Sequence, residues 1–281
     1  LILCHQSHQN RTHLSQSPME DKNSLPPFIV EVPYSTAPRM VRHQGALTHL
    51  PARTSYLEAK RAELASLGAD LCAQIPHATL TPLLQHAAQV LHVPKPEQIQ
   101  SIEDLALCLE EDVALMQDGV LSAICFCFPS SWVPAERIGM PLGQIHAHVA
   151  DGQKLVAASP KIAHVMGDLE QGSFRRYVWT ITNSPKISQH PKYKNSSTPQ
   201  TIDDLYYRVE TQTTLPLPSN TGRSSLFLVK VEVCPLADLW SNLEQRQTIY
   251  DSISSMSEAV LEYKNLQAIK TILSRAYTQA S

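Results

Sequence analysis

The chain is 281 residues long and 43% hydrophobic, with 23 lysines and arginines against 26 aspartates and glutamates, a formal charge of −3. That length is enough to bury a sizeable core, and the near-balanced charge excludes the broad basic footprint that nucleic acid or an anionic membrane surface would require. Six dispersed cysteines (Cys4, Cys72, Cys108, Cys125, Cys127 and Cys234) imply no disulfide framework, and no apolar run reaches the roughly 18 residues of a membrane-spanning helix.

The run Leu1-Ile2-Leu3-Cys4 is too short for a signal sequence. Residues 1–24 are polar, carry His5, His8 and His13, and show no apolar periodicity; they read as a disordered or upstream-translated tail, with Met19 a natural start. The expectation is a cytoplasmic protein with one domain over residues 25–281. Pro26, Pro27, Pro33, Pro38 and Pro51 exclude a long helix between residues 25 and 52 and predict an extended arm over the surface. From Ser55, the residues Tyr56, Leu57, Lys60, Leu64 and Leu67 recur at helical spacing, with a stop at Gly68.

A second helix is predicted from Thr81 as N-cap, with Pro82 as its first residue, through Leu83, Leu84, Ala87 and Val90. The capping sequence Ser101-Ile102-Glu103-Asp104 predicts a third, over Ser101 to Met116. After Gly119 the pattern turns to strand, from Val120 to Phe128, stopped by Pro129. Trp179 to Thr182, Leu205 to Leu215 and Ser225 to Cys234 read as further strands. The last two flank the turn-rich Pro216 to Gly222 and are expected to pair antiparallel. Pro185 to Thr201, poor in large apolar residues, predicts an exposed loop and a mobile flap. Beyond Pro235 two helices are predicted, Leu236 to Met256 and Ser257 to Tyr277. The pattern is that of an α+β fold with helices at both ends.

Dinucleotide, Walker A, nucleophile-elbow and zincin motifs are all missing, and nine glycines are too few for a glycine-built cofactor cradle. Cys125 and Cys127 share a strand face but lack further zinc ligands nearby, so they read as core residues. The most informative stretch runs from Cys125 to His146: an apolar strand, the turn Pro129-Ser130-Ser131, Trp132, Glu136-Arg137, Gly139, and then His146 among Ile138, Leu142, Ile145 and Val149. A histidine in such a setting is either a metal or haem ligand or a hydrogen-bonded core residue.

Taken together, Tyr56 to Leu64, Glu111 to Met116, Cys127-Phe128-Pro129-Ser130-Ser131-Trp132 with Glu136-Arg137-Ile138-Gly139 and Ile145-His146, Arg176 with Trp179, and Arg208-Val209-Glu210 with Gln212-Thr213 resemble the haem-dependent oxidative N-demethylase alpha-subunit family. The resemblance spans about residue 28 to about residue 265. It implies a PAS-like antiparallel sheet with flanking helices, holding haem b. It implies oxidation by O2 of an N-methyl group of a small secondary amine such as dimethylamine, with electrons from separate flavin and iron-sulfur reductase subunits. The chain has no cysteine spacing for a cluster of its own.

Under this resemblance His146 is the axial iron ligand, Arg176 and Arg208 pair with the haem propionates, and Trp179 lines the cofactor. Glu210 holds the amine cation and Gln212, on the same strand face, hydrogen-bonds there; these two are the expected catalytic residues. Ordinary surface pairing for the arginines, and solvated sheet positions for Glu210 and Gln212, are the alternatives. Three positions depart from the family pattern: Val178 stands for an asparagine, Thr211 for an arginine, and His148 for a proline. On a strand His148 would share a face with His146 and compete as ligand. The second functional expectation is a non-catalytic PAS-like haem or ligand sensor.

Overall fold

A computed structural model describes residues 25–280 apart from 38, 77–78, 148, 194–197 and 221. The expected tail and His148 lie outside the described residues. In chain order the elements are β1 (Val41–Arg42), α1 (Thr54–Leu71), β2 (Cys72–Gln74), α2 (Thr81–Val90), α3 (Ile102–Ala106), β3 (Asp112–Gln117), β4 (Val120–Cys125), α4 (Leu142–Ile145) and α5 (Gln153–Met166). There follow β5 (Phe174–Thr182), β6 (Tyr206–Leu217), β7 (Ser224–Pro235), α6 (Leu236–Trp240), α7 (Leu243–Ser254), α8 (Glu258–Tyr263) and α9 (Gln267–Ala280). The strands form one antiparallel sheet in the order β1-β5-β6-β7-β3-β4-β2, so the fold is α+β.

The centre of the sheet is the hairpin of β6 and β7, paired from Tyr206↔Pro235 to Leu217↔Ser224 as the sequence predicts. The helix expected over Ser101 to Met116 is a correction. Its opening is right, because Ser101 Oγ accepts from Asp104 N–H and Asp104 accepts from Ser101 N–H. It nevertheless ends at Ala106, and Asp112–Gln117 forms β3 between β7 and β4. The cause is Asp118-Gly119, with φ of 49° and 79°. Two consecutive positive φ values make the primed two-residue turn that matches strand twist, so the chain folds back as a hairpin.

Other boundaries shift for similar local reasons. Helix α2 starts at Thr81 itself with Leu80 in the cap position, and the Thr81 hydroxyl donates to Gln100 C=O at 3.2 Å instead of capping. The predicted Leu236 to Met256 helix breaks into α6 and α7 because the Asn242 side chain caps a new start by accepting from Gln245 N–H at 3.0 Å. The last predicted helix likewise divides at Lys264–Leu266, where Asn265 has φ of 54°. The proline-rich arm is extended, as expected.

Two apolar cores pack against the sheet, and β6 supplies both from one face, Tyr207 and Val209 near its start and Leu215 and Leu217 near its end. The first gathers Leu84, Leu105, Leu109, Leu115, Phe128, Leu217 and Leu226 between the N-terminal helices and the β3–β4 end. The second gathers Trp179, Tyr207, Val209, Leu239, Ile253 and Leu273 under the C-terminal helices. The arm crosses this second core, where Phe28 packs on Tyr207 and the Tyr207 hydroxyl donates to Pro27 C=O at 3.3 Å.

Beneath α1 lies a charged layer buried in an otherwise apolar setting. Lys60 is fully buried; its ammonium donates to the carbonyls of Ala106 (3.0 Å) and Glu111 and lies 3.6 Å from Asp112. Asp112 in turn accepts from Cys127 N–H at 3.0 Å and Phe128 N–H at 2.8 Å, fixing the chain as it leaves β4. Glu110 accepts both arms of the Arg53 fork, at 2.9 and 2.8 Å, and lies 3.1 Å from the Lys230 ammonium. Charges this deep persist only when each has such partners.

The segment from residue 185 to 201 is the remaining correction. Pro185, Lys186, Pro191, Lys192, Thr198 and Gln200 are exposed as expected, but Ser188 and His190 are buried, and Gln189 bridges in parallel to Ser130, donating its N–H to Pro129 C=O at 3.0 Å and accepting from Ser131 N–H at 2.9 Å. Tyr193 is tied to Glu63 of α1 at 2.9 Å. Polar composition predicts exposure only when backbone groups find no internal partner, and here they do.

Candidate functional site

Strand register decides which side chains meet. Pairing of Arg176 with Gln212, Val178 with Glu210 and Thr180 with Arg208 places all six on one face of β5 and β6. Glu210 and Gln212 are therefore neighbours, as predicted, and the Gln212 amide donates to Glu210 Oε2 at 2.9 Å. The other carboxylate oxygen accepts from Ser130 Oγ at 2.8 Å. Ser130 Oγ also accepts from Arg208 Nε at 3.0 Å, so one hydroxyl joins Arg208 to Glu210.

Arg208 departs from its expected position beside a cofactor carboxylate. It is 1% exposed, and its guanidinium donates to Ser130 Oγ, Phe128 C=O at 2.9 Å and Ile187 C=O. Burial lowers its pKa, opposed by Glu210 and Asp112. Its fork is spent inside the protein, holding the turn at Ser130 and the segment at Ile187 against β6. Trp179 also separates from the group, because it pairs with Val209 and so lies on the opposite sheet face. There it stacks on Tyr207 (centroids 6.2 Å apart) and meets Tyr34 edge-on at 6.1 Å.

The Arg176 side chain is half-buried and has no hydrogen-bond or ion-pair partner among the described residues. Burial lowers its pKa, and Glu210 and Tyr34 pull it back up. Among the described residues, the side of β5 that faces away from β6 is paired only at Phe174–Arg175, by β1. Beyond that point Lys264, which follows α8, reaches in and donates to Trp179 C=O at 3.0 Å, with its ammonium 5.5 Å from the Tyr34 ring centre. Its pKa is lowered to about 8, by burial first, with Glu210 raising it and Arg176 lowering it. Tyr34 is raised to about 12, chiefly by burial, with Tyr263 adding to the rise and Arg176 opposing it. Glu210 also raises the Tyr263 hydroxyl, after the larger effect of burial.

His146 sits at the C-terminal end of α4, not on a strand. Its Nδ1 lies 2.9 Å from Leu142 C=O. A carbonyl only accepts, so in the neutral ring the proton is on Nδ1 and Nε2 keeps its lone pair. Burial lowers the pKa, the Leu142 carbonyl opposes this, and the Arg176 charge lowers it further, so the ring is neutral near pH 7. This tautomer, held by a backbone carbonyl, is the form in which histidine ligates a metal.

The donor types are those that haem takes: a neutral imidazole with Nε2 free of a hydrogen bond, a half-buried guanidinium and a half-buried ammonium, the Arg176 charge acting on both of the others. Cavities of about 360 Å³, lined by Asp168 and Arg223, and about 590 Å³, lined by Asn242 and Thr248, lie elsewhere; neither is lined by His146, Arg176 or Glu210. Tyr34, Lys264 and Tyr263 were not visible as site residues in the sequence, and nothing in their spacing marks them. Ser130 was visible, since it lies inside the quoted Phe-Pro-Ser-Ser-Trp block.

No curated protein matches the chain in sequence. The family described as haem-dependent oxidative N-demethylase, alpha subunit-like, matches residues 77–274, well over half of the chain and every strand from β3 to β7. On that match the chain belongs to the haem-dependent oxidative N-demethylase alpha subunit-like family.

Proposed function

We propose that this chain is a cytoplasmic haem-binding subunit that uses O2 to oxidise an N-methyl group of a small secondary amine such as dimethylamine. In this reading residues 25–281 form one PAS-like domain, and reductase subunits carrying flavin and iron-sulfur centres supply electrons. The observation that carries it is the His146 ring, neutral, with Nδ1 bound to Leu142 and Nε2 available, within the field of Arg176. Haem b, when bound, would supply the oxidising chemistry for the N-methyl carbon, with formaldehyde and the demethylated amine as products.

The chain's own residues do the rest. His146 holds the iron through Nε2. Arg176 would meet a propionate, since a half-buried guanidinium without a protein partner leaves its planar donor fork open to a carboxylate. Lys264, with donors left beyond its bond to Trp179, supports the same negative charge. Arg208 acts one step back, holding Ser130 and through it Glu210. Glu210 accepts the N–H of a secondary ammonium, and Ser130 and Gln212, each donating to one of its oxygens, keep the carboxylate from turning. Positioning of this kind lowers the entropic part of the barrier.

The test is reconstitution of the purified chain with hemin and an absorption spectrum. A Soret band is expected, lost in His146→Ala at unchanged thermal stability; its absence from the wild type refutes haem binding. With haem bound, amine-dependent O2 consumption in the presence of an electron donor is expected, and Glu210→Gln raises KM for dimethylamine. Reversible O2 or CO binding without turnover would instead establish a sensor.

A further inference from the structure

Cys72 and Cys125 lie at the edge of the sheet opposite β1, with Cys127 two residues beyond. Cys72 of β2 stands directly across from Cys125 of β4. The flanking backbone bonds, Phe126 N–H to Leu71 C=O at 3.0 Å and Ile75 N–H to Ser122 C=O at 2.8 Å, settle the type of pair. Hydrogen-bonded and non-hydrogen-bonded pairs alternate along an antiparallel ladder, so with 71/126 and 75/122 bonded, 72/125 is a non-hydrogen-bonded pair.

Such pairs bring Cα atoms to about 4.5 Å, inside the roughly 4.4–6.8 Å span of disulfides. Both thiols are free, Cys72 half-buried and Cys125 buried. One cysteine of the pair is thus partly exposed on the edge strand and its cross-strand neighbour is buried.

We propose that Cys72 and Cys125 form a dithiol that hydroperoxides oxidise to a cross-strand disulfide, Cys72 attacking and Cys125 resolving. The Cys72 thiolate attacks the terminal oxygen of the hydroperoxide; the O–O bond breaks, the leaving alkoxide takes up a proton, and Cys72 becomes a sulfenic acid. The Cys125 sulfur then attacks the Cys72 sulfur, the S–S bond forms as the S–O bond breaks, and hydroxide leaves as water with the Cys125 proton. Two electrons pass from the two sulfurs to the peroxide.

The assignment of roles has a physical basis. Hydrogen bonding from the Cys125 thiol lowers the Cys72 pKa, against burial and the nearby Glu103 and Asp104, whereas Cys125 is raised by its thiol neighbours and its burial. The thiolate is the nucleophile, so the half-buried residue is the one that reacts first. The bridge would form just before Cys127 and Phe128, whose N–H groups Asp112 holds.

The experiment treats the full-length chain with hydrogen peroxide and maps the cysteines by mass spectrometry. A Cys72–Cys125 linked peptide pair is expected, retained in Cys127→Ala and lost in Cys72→Ser. In Cys125→Ser a dimedone adduct on Cys72 is expected in its place. Linkage of Cys125 to Cys127, unlinked overoxidation of Cys72 in the wild type, or no loss of thiols at peroxide sufficient to oxidise a surface cysteine would each overturn the proposal. None of these readouts depends on iron being bound.

Discussion

Glu110 offers a direct measure of the charged layer beneath α1. Burial alone would push its carboxyl up, but the Arg53 fork, the Arg53 backbone N–H and the Lys230 ammonium outweigh that and hold it at about 2, against an ordinary 4.5. This displacement corresponds to about 3 kcal/mol of folding stability. Because the Arg53 side chain is 39% exposed, water screens part of the pair and about 2 kcal/mol is the better expectation. The folded state binds this proton less readily than the unfolded one. The contribution is therefore fully present above the ordinary carboxylate range and is lost as pH falls from there toward 2. Glu110→Gln should lower the unfolding free energy in urea by about 2 kcal/mol at pH 7. The gap between variant and wild type should narrow as pH falls from 5 to 3. Equal curves at pH 7, or a gap independent of pH, would refute the claim that the ionised carboxylate stabilises this layer.

Ser130→Ala should cost about 2–3 kcal/mol in chemical denaturation, since it removes the hydroxyl joining Arg208 Nε to Glu210 and leaves two charged groups short of a partner. Asp112→Ala should cost about 3–5 kcal/mol, because it strips the acceptor from Cys127 and Phe128 N–H and leaves the Lys60 charge without its counter-ion. Lys264 has a folded pKa of about 8, below its ordinary 10.5, so its charged form opposes folding. Lys264→Met should raise the unfolding free energy at pH 7 by about 2 kcal/mol after the lost bond to Trp179 is counted, and the gain should shrink between pH 8 and 10.5, where wild-type stability rises.

The elements that sequence reading located well are those whose signal is local. The alternation through β6 and β7, the helical spacing of α1 and the Ser101–Asp104 box all act within a few residues, and the structure keeps them. The overlong third helix shows how one local signal can be overrun by another: apolar Val113 to Met116 fits either period, and Asp118-Gly119 was the evidence for a hairpin. In the site, the resemblance singles out Glu210 and Gln212, and strand period puts them on one face, which needs no tertiary knowledge. The cross-chain arrangements were beyond reach. Arg208 turning inward depends on Ile187 and Phe128 arriving from distant segments, and the Cys72–Cys125 pairing depends on β2 closing the far edge of the sheet. Lys264 reaches Trp179 only because the C-terminal helices fold back over β5.

The β6–β7 hairpin contributes Leu215, Leu217, Leu226 and Leu228 to one apolar core and Tyr207, Val209 and Cys234 to the other. A single pair of strands is thus the backbone of both, and neither core can lose its packing without unravelling the ladder that the other rests on. Cooperativity of this kind makes amide exchange in the middle of the hairpin report global opening instead of local fraying. It also means that a strain introduced at the C-terminal helices is felt by the N-terminal ones through hydrogen bonds they do not themselves make.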